Sequence, residues 1–223
     1  WENVNLWVPS KVLKTSRSKG SKHDEKQILR NVNGRAPEGS ITALMGPSGA
    51  GKTSLLDCLA SRKKLHRVQR HITVNRNKCS SDAMQAVSGY VEQHDVLPSM
   101  FTVREHLLFH ARLRFRTTTV QRRYRVEHVI KILNLSKCAD TRIGGELVRG
   151  LSGGERRRLS VAEELLVEPR ILFLDEPTAG LDPIMTNVIN ELILEIVDKL
   201  GATVVSITSD MSSLRAISNR VAG

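Results

Sequence analysis

A glycine-rich octapeptide constrains this chain more than any other segment. It matches the pattern G-x-x-x-x-G-K-[ST] and is followed by a serine, and its residues are Gly46, Pro47, Ser48, Gly49, Ala50, Gly51, Lys52, Thr53 and then Ser54. Glycines let backbone N–H groups surround an anion, and a helix that begins directly after the loop adds its dipole. The lysine reaches the β- and γ-phosphates of a nucleotide, and the threonine hydroxyl is placed for Mg²⁺. The motif predicts a site for ATP and Mg²⁺, and the alternative is an ordinary glycine-rich turn.

Short apolar runs on both sides of this loop indicate strands. Runs typical of strands buried on both faces of a parallel sheet occur at 41–45, 171–174 and 203–207. Val4, Leu6 and Val8 alternate with polar residues, which predicts another strand near the N-terminus. Segment 11–26 has almost no apolar content and is interpreted as a loop.

Helical patterns alternate with these strands. They occur at 53–61, 120–133, 153–166 and 183–200. Thr102 and Glu105 form a capping box, which predicts the start of a further helix. Strands followed by helices at both ends of the chain, with a helix-rich middle, predict an α/β protein. We expect a mostly parallel sheet flanked by helices, with a helical subdomain inserted at 94–152.

The composition excludes several protein classes. A chain of 223 residues that is 40% hydrophobic has enough apolar material for one globular domain. Its longest apolar stretches fall far short of the ~20 residues that cross a bilayer, so no membrane span is expected within it. Three cysteines without a C-x-x-C pair suggest neither a disulfide framework nor a zinc site. Because the chain begins at Trp1 and not at Met, it is interpreted as a piece of a longer protein.

The chain carries a formal net charge of +11. Basic residues cluster in three segments, at 11–26, 62–78 and 112–125. Such clusters occur on ordinary solvated faces, but they also attract nucleotides, nucleic acids or anionic membrane surfaces. Charge alone leaves both explanations open.

The apolar run at 171–174 ends in two acids, Asp175 and Glu176. In a chain with a phosphate-binding loop, the first acid is expected to hold Mg²⁺, directly or through water. The second is expected to polarise the attacking water as a general base. The alternative is a surface acidic pair that caps the next turn.

A second candidate anion site lies in the segment Leu-Ser-Gly-Gly-Glu. Ser152, Gly153 and Gly154 open a predicted helix, and a helix N-terminus favours an anion. One chain rarely needs two such sites for one nucleotide. The second site makes sense if it contacts the γ-phosphate of a nucleotide bound to a neighbouring copy.

These motifs together resemble the ATP-binding cassette (ABC) ATPases. The order is the phosphate-binding loop, a glutamine after a strand, LSGGE, and ILFLDE followed by AGLD, and the resemblance covers essentially the whole chain. It implies a P-loop NTPase fold with an antiparallel β edge near the N-terminus. The ATP-binding core would comprise 1–93 and 153–223. Two cassettes would close head to tail around two ATP molecules, and hydrolysis would reset them.

The resemblance also implies roles for single residues. Gln93 looks like the lid glutamine that senses Mg²⁺ and couples the cassette to a membrane domain. Asp182 looks like a loop acid that acts across the dimer, although it is also a candidate N-cap before Pro183. Trp7 looks like the aromatic residue that stacks on adenine, and the alternative is a tryptophan of the core or of an edge strand.

Three stretches resemble the G subfamily of half-transporters. They are GPSGAGKTSLLDCLASRK, RGLSGGERRRLSVAEELL and EPRILFLDEPTAGLD. The resemblance implies that the cassette works at the cytoplasmic face of a membrane and powers transport through a transmembrane domain that is absent from this chain. Two alternatives are a regulatory cassette with weak hydrolysis and a soluble nucleic-acid-associated ABC ATPase. No nucleic-acid partner is expected.

The chain departs from the family pattern at two places. Ser209 stands where the family has a switch histidine after a strand, and all seven histidines precede residue 129. A serine hydroxyl is shorter than imidazole and carries no charge near neutral pH, so slow hydrolysis is expected. Segment 70–76 also lacks the usual Gly before a strand and Asn-Gly after it, so we expect its turn to be built differently.

Overall fold

Four short parallel strands form the centre of the molecule. The computed structural model describes residues 1–9, 25–62, 67–145 and 148–218. The strands lie in the order β3 (Ile41–Leu44), β9 (Thr203–Ile207), β8 (Ile171–Asp175) and β7 (Ser88–Val91). Each neighbouring pair is parallel, so the predicted parallel sheet is confirmed.

An antiparallel sheet covers one side of this core. It has the order β2 (Glu25–Val32), β1 (Glu2–Pro9) and β4 (Arg67–His71). Val4 and Leu6 of β1 are buried, as their alternation predicts. The antiparallel β edge is thus confirmed. Residues 11–24 of the predicted loop lie outside the described residues, and its last two residues, 25 and 26, belong to β2.

Seven helices are described. They are α1 (Lys52–Ala60), α2 (Ser81–Val87), α3 (Val103–Arg114), α4 (Thr119–Ile132), α5 (Gly153–Leu165), α6 (Pro183–Leu200) and α7 (Met211–Ser218). The predicted capping box at the start of α3 is present, with Thr102 as the N-cap and Glu105 at the third helical position. A short 3-10 helix, Ser136–Cys138, follows α4. Within the described ranges, none of the helices is both long enough and apolar enough to cross a membrane.

The parallel sheet separates two hydrophobic clusters. Leu172 and Leu174 of β8 pack into the cluster that includes α3, α4, α5 and α6, whereas Phe173 packs into the cluster with α1 and the antiparallel sheet. Successive strand residues point to opposite faces, and here both faces are covered. This explains why the sequences of the central strands are runs of apolar residues and do not alternate.

A buried arginine fixes α5 against the ends of two central strands. The side chain of Arg157 is only 4% exposed. Its guanidinium donates to the carbonyl oxygens of Glu92 at 2.5 Å, Pro177 at 2.9 Å and Asp175 at 3.1 Å, and to Asp95 Oδ1 at 3.0 Å. One side chain therefore joins the segment after β7, the end of β8 and the middle of α5.

A two-residue turn joins β5 (Thr73–Val74) to β6 (Asn77–Lys78). Its central residues, Asn75 and Arg76, have φ values of 50° and 66°. Positive φ at both positions is the pattern of a type I′ hairpin turn, which favours Asn-Gly. The expected change of turn construction is therefore not found. The backbone is that of an Asn-Gly turn, and Arg76 adopts the conformation that glycine prefers.

Replacing Arg76 with glycine should stabilise the chain. The left-handed conformation costs a residue with a Cβ about 1–2 kcal/mol, and the greater freedom of unfolded glycine offsets about 0.5–1 kcal/mol of that. We expect Arg76→Gly to raise the free energy of unfolding by about 0.5–1 kcal/mol in urea denaturation. Arg76→Ala keeps the Cβ and should give no gain. Equal gains in both variants would instead implicate loss of the side chain.

Arg157→Met should destabilise the chain strongly. Methionine keeps most of the apolar volume but removes the guanidinium that donates to three carbonyl oxygens and forms an ion pair with Asp95. Removing one partner of such a buried pair costs about 3 kcal/mol. The exposed arginine of α3, Arg112, offers a matched control, because Arg112→Met removes no described hydrogen bond. Similar midpoints for the two variants in urea denaturation would contradict the anchoring role.

Candidate functional site

The phosphate-binding loop lies between the end of β3 and the start of α1. Gly49 and Gly51 have φ values of 78° and 89°, which glycine adopts without strain. Among the described residues, no side chain caps the N-terminus of α1, whereas side chains cap α2 to α6. The first amide groups of α1 are thus available to an anion.

Lys52 lies back over this loop. Its ammonium group donates to the carbonyl oxygens of Gly46 at 2.8 Å and Pro47 at 3.1 Å. The loop is open to solvent, and its exposed residues are Gly46, Pro47, Ser48, Gly49, Ala50 and Thr53, with Gly51, Lys52 and Ser54 half-buried. A cation next to uncapped helix amides forms an electropositive recess that suits phosphate groups.

Two of the predicted magnesium ligands, Thr53 and Asp175, are in contact. Thr53 Oγ1 donates a hydrogen bond to Asp175 Oδ1 at 3.2 Å, although the residues lie 122 positions apart. Neighbouring oxygen ligands of an octahedral Mg²⁺ with bonds of 2.0–2.1 Å lie about 2.9 Å apart. The pair therefore fits a magnesium ion with small side-chain adjustments.

Glu176, the predicted general base, is held in an unusual backbone conformation. Its φ is 46°, and its N–H donates to the carbonyl of Ile207 at the end of β9 at 3.2 Å. Gln93 Nε2 donates to Glu176 Oε2 at 3.3 Å. Left-handed conformations of residues other than glycine are costly and concentrate at functional sites. The structure thus brings Gln93 and Glu176 together beside the Thr53–Asp175 pair.

Ser209 and Glu176 line the same cavity, which has a volume of about 500 Å³. Ser209 is exposed, two residues beyond the end of β9.

The next residue, Asp210, accepts hydrogen bonds from the Ser213 hydroxyl at 2.7 Å and from the Ser213 N–H at 3.0 Å. The pKa of Asp210 is lowered, and the hydrogen bond from the Ser213 hydroxyl is the largest cause. The Ser213 hydroxyl also lies 3.4 Å from that of Thr178, which links this turn to the segment after Glu176.

The LSGGE segment forms the start of α5. Ser152 is the N-cap, its hydroxyl accepts from the N–H of Glu155 at 3.3 Å, and Glu155 accepts from the N–H of Ser152 at 2.8 Å. The pKa of Glu155 is lowered, and the hydrogen bond from the Ser152 N–H is the largest cause. Ser152 and Gly153 are exposed and Gly154 is buried. The described hydrogen bonds of the Ser152 side chain stay within this capping box, so the exposed face of the segment is directed to solvent.

Two residues assigned from the resemblance have defined structural roles. Asp182 is the N-cap of α6, where its carboxylate accepts from the N–H of Met185 at 3.0 Å, so the N-cap alternative is confirmed. Trp7 is half-buried in β1, and the guanidinium of Arg67 lies 4.7 Å from the centre of its ring. The action of Asp182 across a dimer and the stacking of Trp7 on adenine stay predictions.

The sequence analysis did not identify Arg157 as part of the site. It contacts the backbone of Asp175 and of the segment that carries Gln93, so it positions both. A signal was present, because Gly154, Arg157, Val161 and Leu165 recur at helical spacing and all four are buried. A charged residue on the buried stripe of a helix indicates a specific partner.

Comparison with known proteins agrees with this geometry. The family model for ABC transporters matches residues 29–179, more than half of the chain. The chain is 44% identical over 183 residues to the broad substrate specificity ATP-binding cassette transporter ABCG2 of Bos taurus, covering 81% of this chain and 28% of that protein. It is 36% identical over 230 residues to the ABC transporter ATP-binding protein/permease wht-1 of Caenorhabditis elegans, covering 99% of this chain and 34% of that protein.

A solved structure has the same fold. The dimeric structure of MJ0796, a bacterial ABC transporter cassette, superposes with a TM-score of 0.75 at 25% identity, covering 96% of this chain and 89% of that chain. The present chain spans about a third or less of the length of the curated relatives named above. The chain belongs to the ABC transporter family, within which it is a nucleotide-binding cassette of the G subfamily.

Proposed function

We propose that this cassette binds and hydrolyses ATP to power transmembrane transport. The observation that carries the proposal is the convergence of four side chains beside the uncapped start of α1. Thr53 contacts Asp175, and Gln93 contacts Glu176. A nucleotide phosphate at the loop would have a metal-binding pair and a carboxylate base next to it.

The residues divide the chemistry between them. The loop amides and Lys52 bind the phosphates, and Thr53, Asp175 and Gln93 hold Mg²⁺, which neutralises charge on the phosphates when bound. Glu176 orients a water molecule and accepts its proton as the water attacks the γ-phosphorus, while the bond to the β–γ bridging oxygen breaks and ADP leaves with phosphate as the other product. The hydrogen bond from its own N–H to Ile207 keeps the carboxylate in position before the nucleotide arrives.

A second cassette completes the site. The exposed start of α5, at 152–154, contacts the γ-phosphate bound to the partner, and the two cassettes close head to tail around two ATP molecules. Asp182 acts across the same interface, and Trp7 stacks on adenine. Support comes from the exposure of Ser152 and Gly153 and from the dimeric assembly of the similar bacterial cassette.

The membrane part of the transporter belongs to a longer protein. The two curated relatives named above are transporters about three times the length of the matched region or longer. We place the cassette at the cytoplasmic face of a membrane, bound to a transmembrane domain. Residues 94–152, which include α3 and α4, form its helical subdomain, and 1–93 with 153–223 form its ATP-binding core.

Hydrolysis by a pair of identical chains is proposed to be slow. Ser209 stands where the family has a histidine, and it lies on the wall of the cavity that Glu176 also lines. Losing one positioned donor to developing charge costs about 10²–10³ in rate. The phosphate contacts of the loop and Mg²⁺ are unaffected, so ATP binding should remain normal. In a mixed dimer, this chain would lend its 152–154 segment to a partner that carries the histidine.

Glu176→Gln should trap an ATP-bound dimer. Removing a general base lowers the rate by about 10²–10⁴ and leaves ATP binding intact. We expect light scattering to show a dimer with ATP and Mg²⁺ and a monomer without nucleotide. Lys52→Ala in the same background removes a phosphate contact and should abolish the dimer. A Glu176→Gln chain that binds ATP but stays monomeric would count against the head-to-tail arrangement.

Ser209→His should raise the ATPase rate of the purified chain ten-fold or more. Imidazole would restore a donor that reaches the γ-phosphate and the attacking water beside Glu176. The matched control is Ser212→His, which places the same side chain on an exposed position of the same cavity wall. If the natural chain is already fast and Ser209→His changes nothing, another residue performs the switch role.

A further inference from the structure

Two histidines and a glutamate meet where α3 packs against α5. His106 and His110 lie one helical turn apart on α3, and their ring centres are 4.5 Å apart. His106 Nε2 lies 3.1 Å from Glu163 Oε2, and His110 Nδ1 lies 2.9 Å from Glu163 Oε1. None of these residues belongs to the nucleotide site. We propose that they bind a divalent transition-metal ion, with Zn²⁺ as the best match to the ligand set.

The ligand types and their spacing fit such an ion. Two imidazole nitrogens and a carboxylate are common protein ligands of Zn²⁺, with bonds of about 2.0–2.2 Å. Tetrahedral ligands at that bond length lie about 3.3 Å apart. Here the candidate ligand atoms all lie within 4.8 Å of one another. The two histidine nitrogens lie 3.1 and 2.9 Å from different oxygens of Glu163, so rotations of the side chains would bring one oxygen and both nitrogens to a single ion.

Exposure allows entry of an ion and keeps one coordination position open. The side chain of His106 is 2% exposed, whereas those of His110 and Glu163 are 22% and 19% exposed. The buried ring forms the floor of the site, and the other two ligands form its rim. Three protein ligands with access from solvent leave the fourth position to a water molecule.

Hydrogen bonds to Glu163 show where the protons of the cluster lie. The ring nitrogens of His106 and His110 that face its carboxylate lie at hydrogen-bond distance and therefore carry protons. Burial is the largest cause of a lowered pKa of His110. Burial opposes ionisation of Glu163, but the hydrogen bond from His106 and the nearby charges outweigh it and lower the pKa of Glu163. An incoming ion replaces the two hydrogen bonds to Glu163, so the ring nitrogens that bind it must give up or relocate their protons.

Neighbouring charges set the strength of the site. Arg114 lies 3.3 Å from Glu163 and opposes a cation, but it makes a shorter ion pair, 2.8 Å, with Glu164. Glu164 also pairs with Arg62 at 2.9 Å. The negative charges of the two carboxylates equal the positive charges of the two guanidinium groups, so these four side chains have no net charge to repel an incoming ion. A bound ion would link α3 to α5, the helix that carries 152–154.

The test uses the purified chain without nucleotide at pH 7.5. Co²⁺ should give the visible absorption bands of a tetrahedral nitrogen–oxygen site, and Zn²⁺ should displace them. Saturating Zn²⁺ should raise Tm by about 4 °C or more, and Mg²⁺ at the same concentration should not.

Matched variants distinguish this site from other histidines. His110 lies at the rim of the site, so the His110→Ala variant should fold. It should lose both the Co²⁺ absorption bands and the Zn²⁺-dependent rise in Tm. His128→Ala changes an exposed histidine of α4 and should keep both. Absence of the Co²⁺ bands in the natural chain, or an equal response in His110→Ala, would overturn the proposal. In that case the cluster is a hydrogen-bonded contact between two helices.

Discussion

The register of the parallel sheet controls the geometry of the nucleotide site. Leu44 of β3 and Asp175 of β8 both lie opposite Ile207 of β9, and Val91 of β7 lies opposite Leu174. All four strands therefore end in one row, and the chain after each strand leaves from the same edge. The phosphate-binding loop, the Gln93 segment, Glu176 and Ser209 all begin there. Brought together this way, segments separated by more than a hundred residues form one site.

Residues near this row hold the segments at fixed distances. The N–H of Glu176 pairs with Ile207 across strand ends, and Arg157 ties the segment after β7 to the end of β8. Both interactions use backbone carbonyls, so they depend little on which side chains the neighbouring positions carry. The left-handed backbone of Glu176 is tolerated because these contacts over-determine its position. A rigid frame is what electrostatic stabilisation of a transition state requires.

Local patterns made much of the fold and site predictable from the sequence. The phosphate-binding loop, the acids after β8 and the helix beginning at LSGGE are each contiguous, so each pattern carries its own physical signal. The strand order β3, β9, β8, β7 could not be predicted from contiguous patterns, because it depends on packing between segments that are distant in the sequence. Short elements were also missed: α2 buries little beyond Met84, and β4 alternates too weakly between charged and apolar residues to be distinguished.

Charge was the least informative property of the sequence. The basic cluster at 112–125 left two explanations open, and the structure uses several of its members internally. Arg114 pairs with Glu164, Arg125 pairs with Glu168, and Arg122 donates to a backbone carbonyl. Residues 10–24, which hold most of the cluster at 11–26, and residues 63–66, which hold two lysines of the cluster at 62–78, lie outside the described residues. Formal net charge counts these paired side chains equally with solvated ones, so it overstates the attraction to polyanions.

Ser209 lies in a segment whose backbone is held in place. The N–H of Thr208 donates to Leu44 of β3, and the N–H of Asp210 donates to the Thr208 hydroxyl, so the backbone on both sides of Ser209 is anchored. The Asp210 carboxylate accepts a hydrogen bond from the first turn of α7, and the N–H of Glu176 donates to Ile207 at the end of β9. The position of Ser209 is therefore fixed by its neighbours, and its own side chain differs from imidazole in being shorter and in carrying no charge near neutral pH.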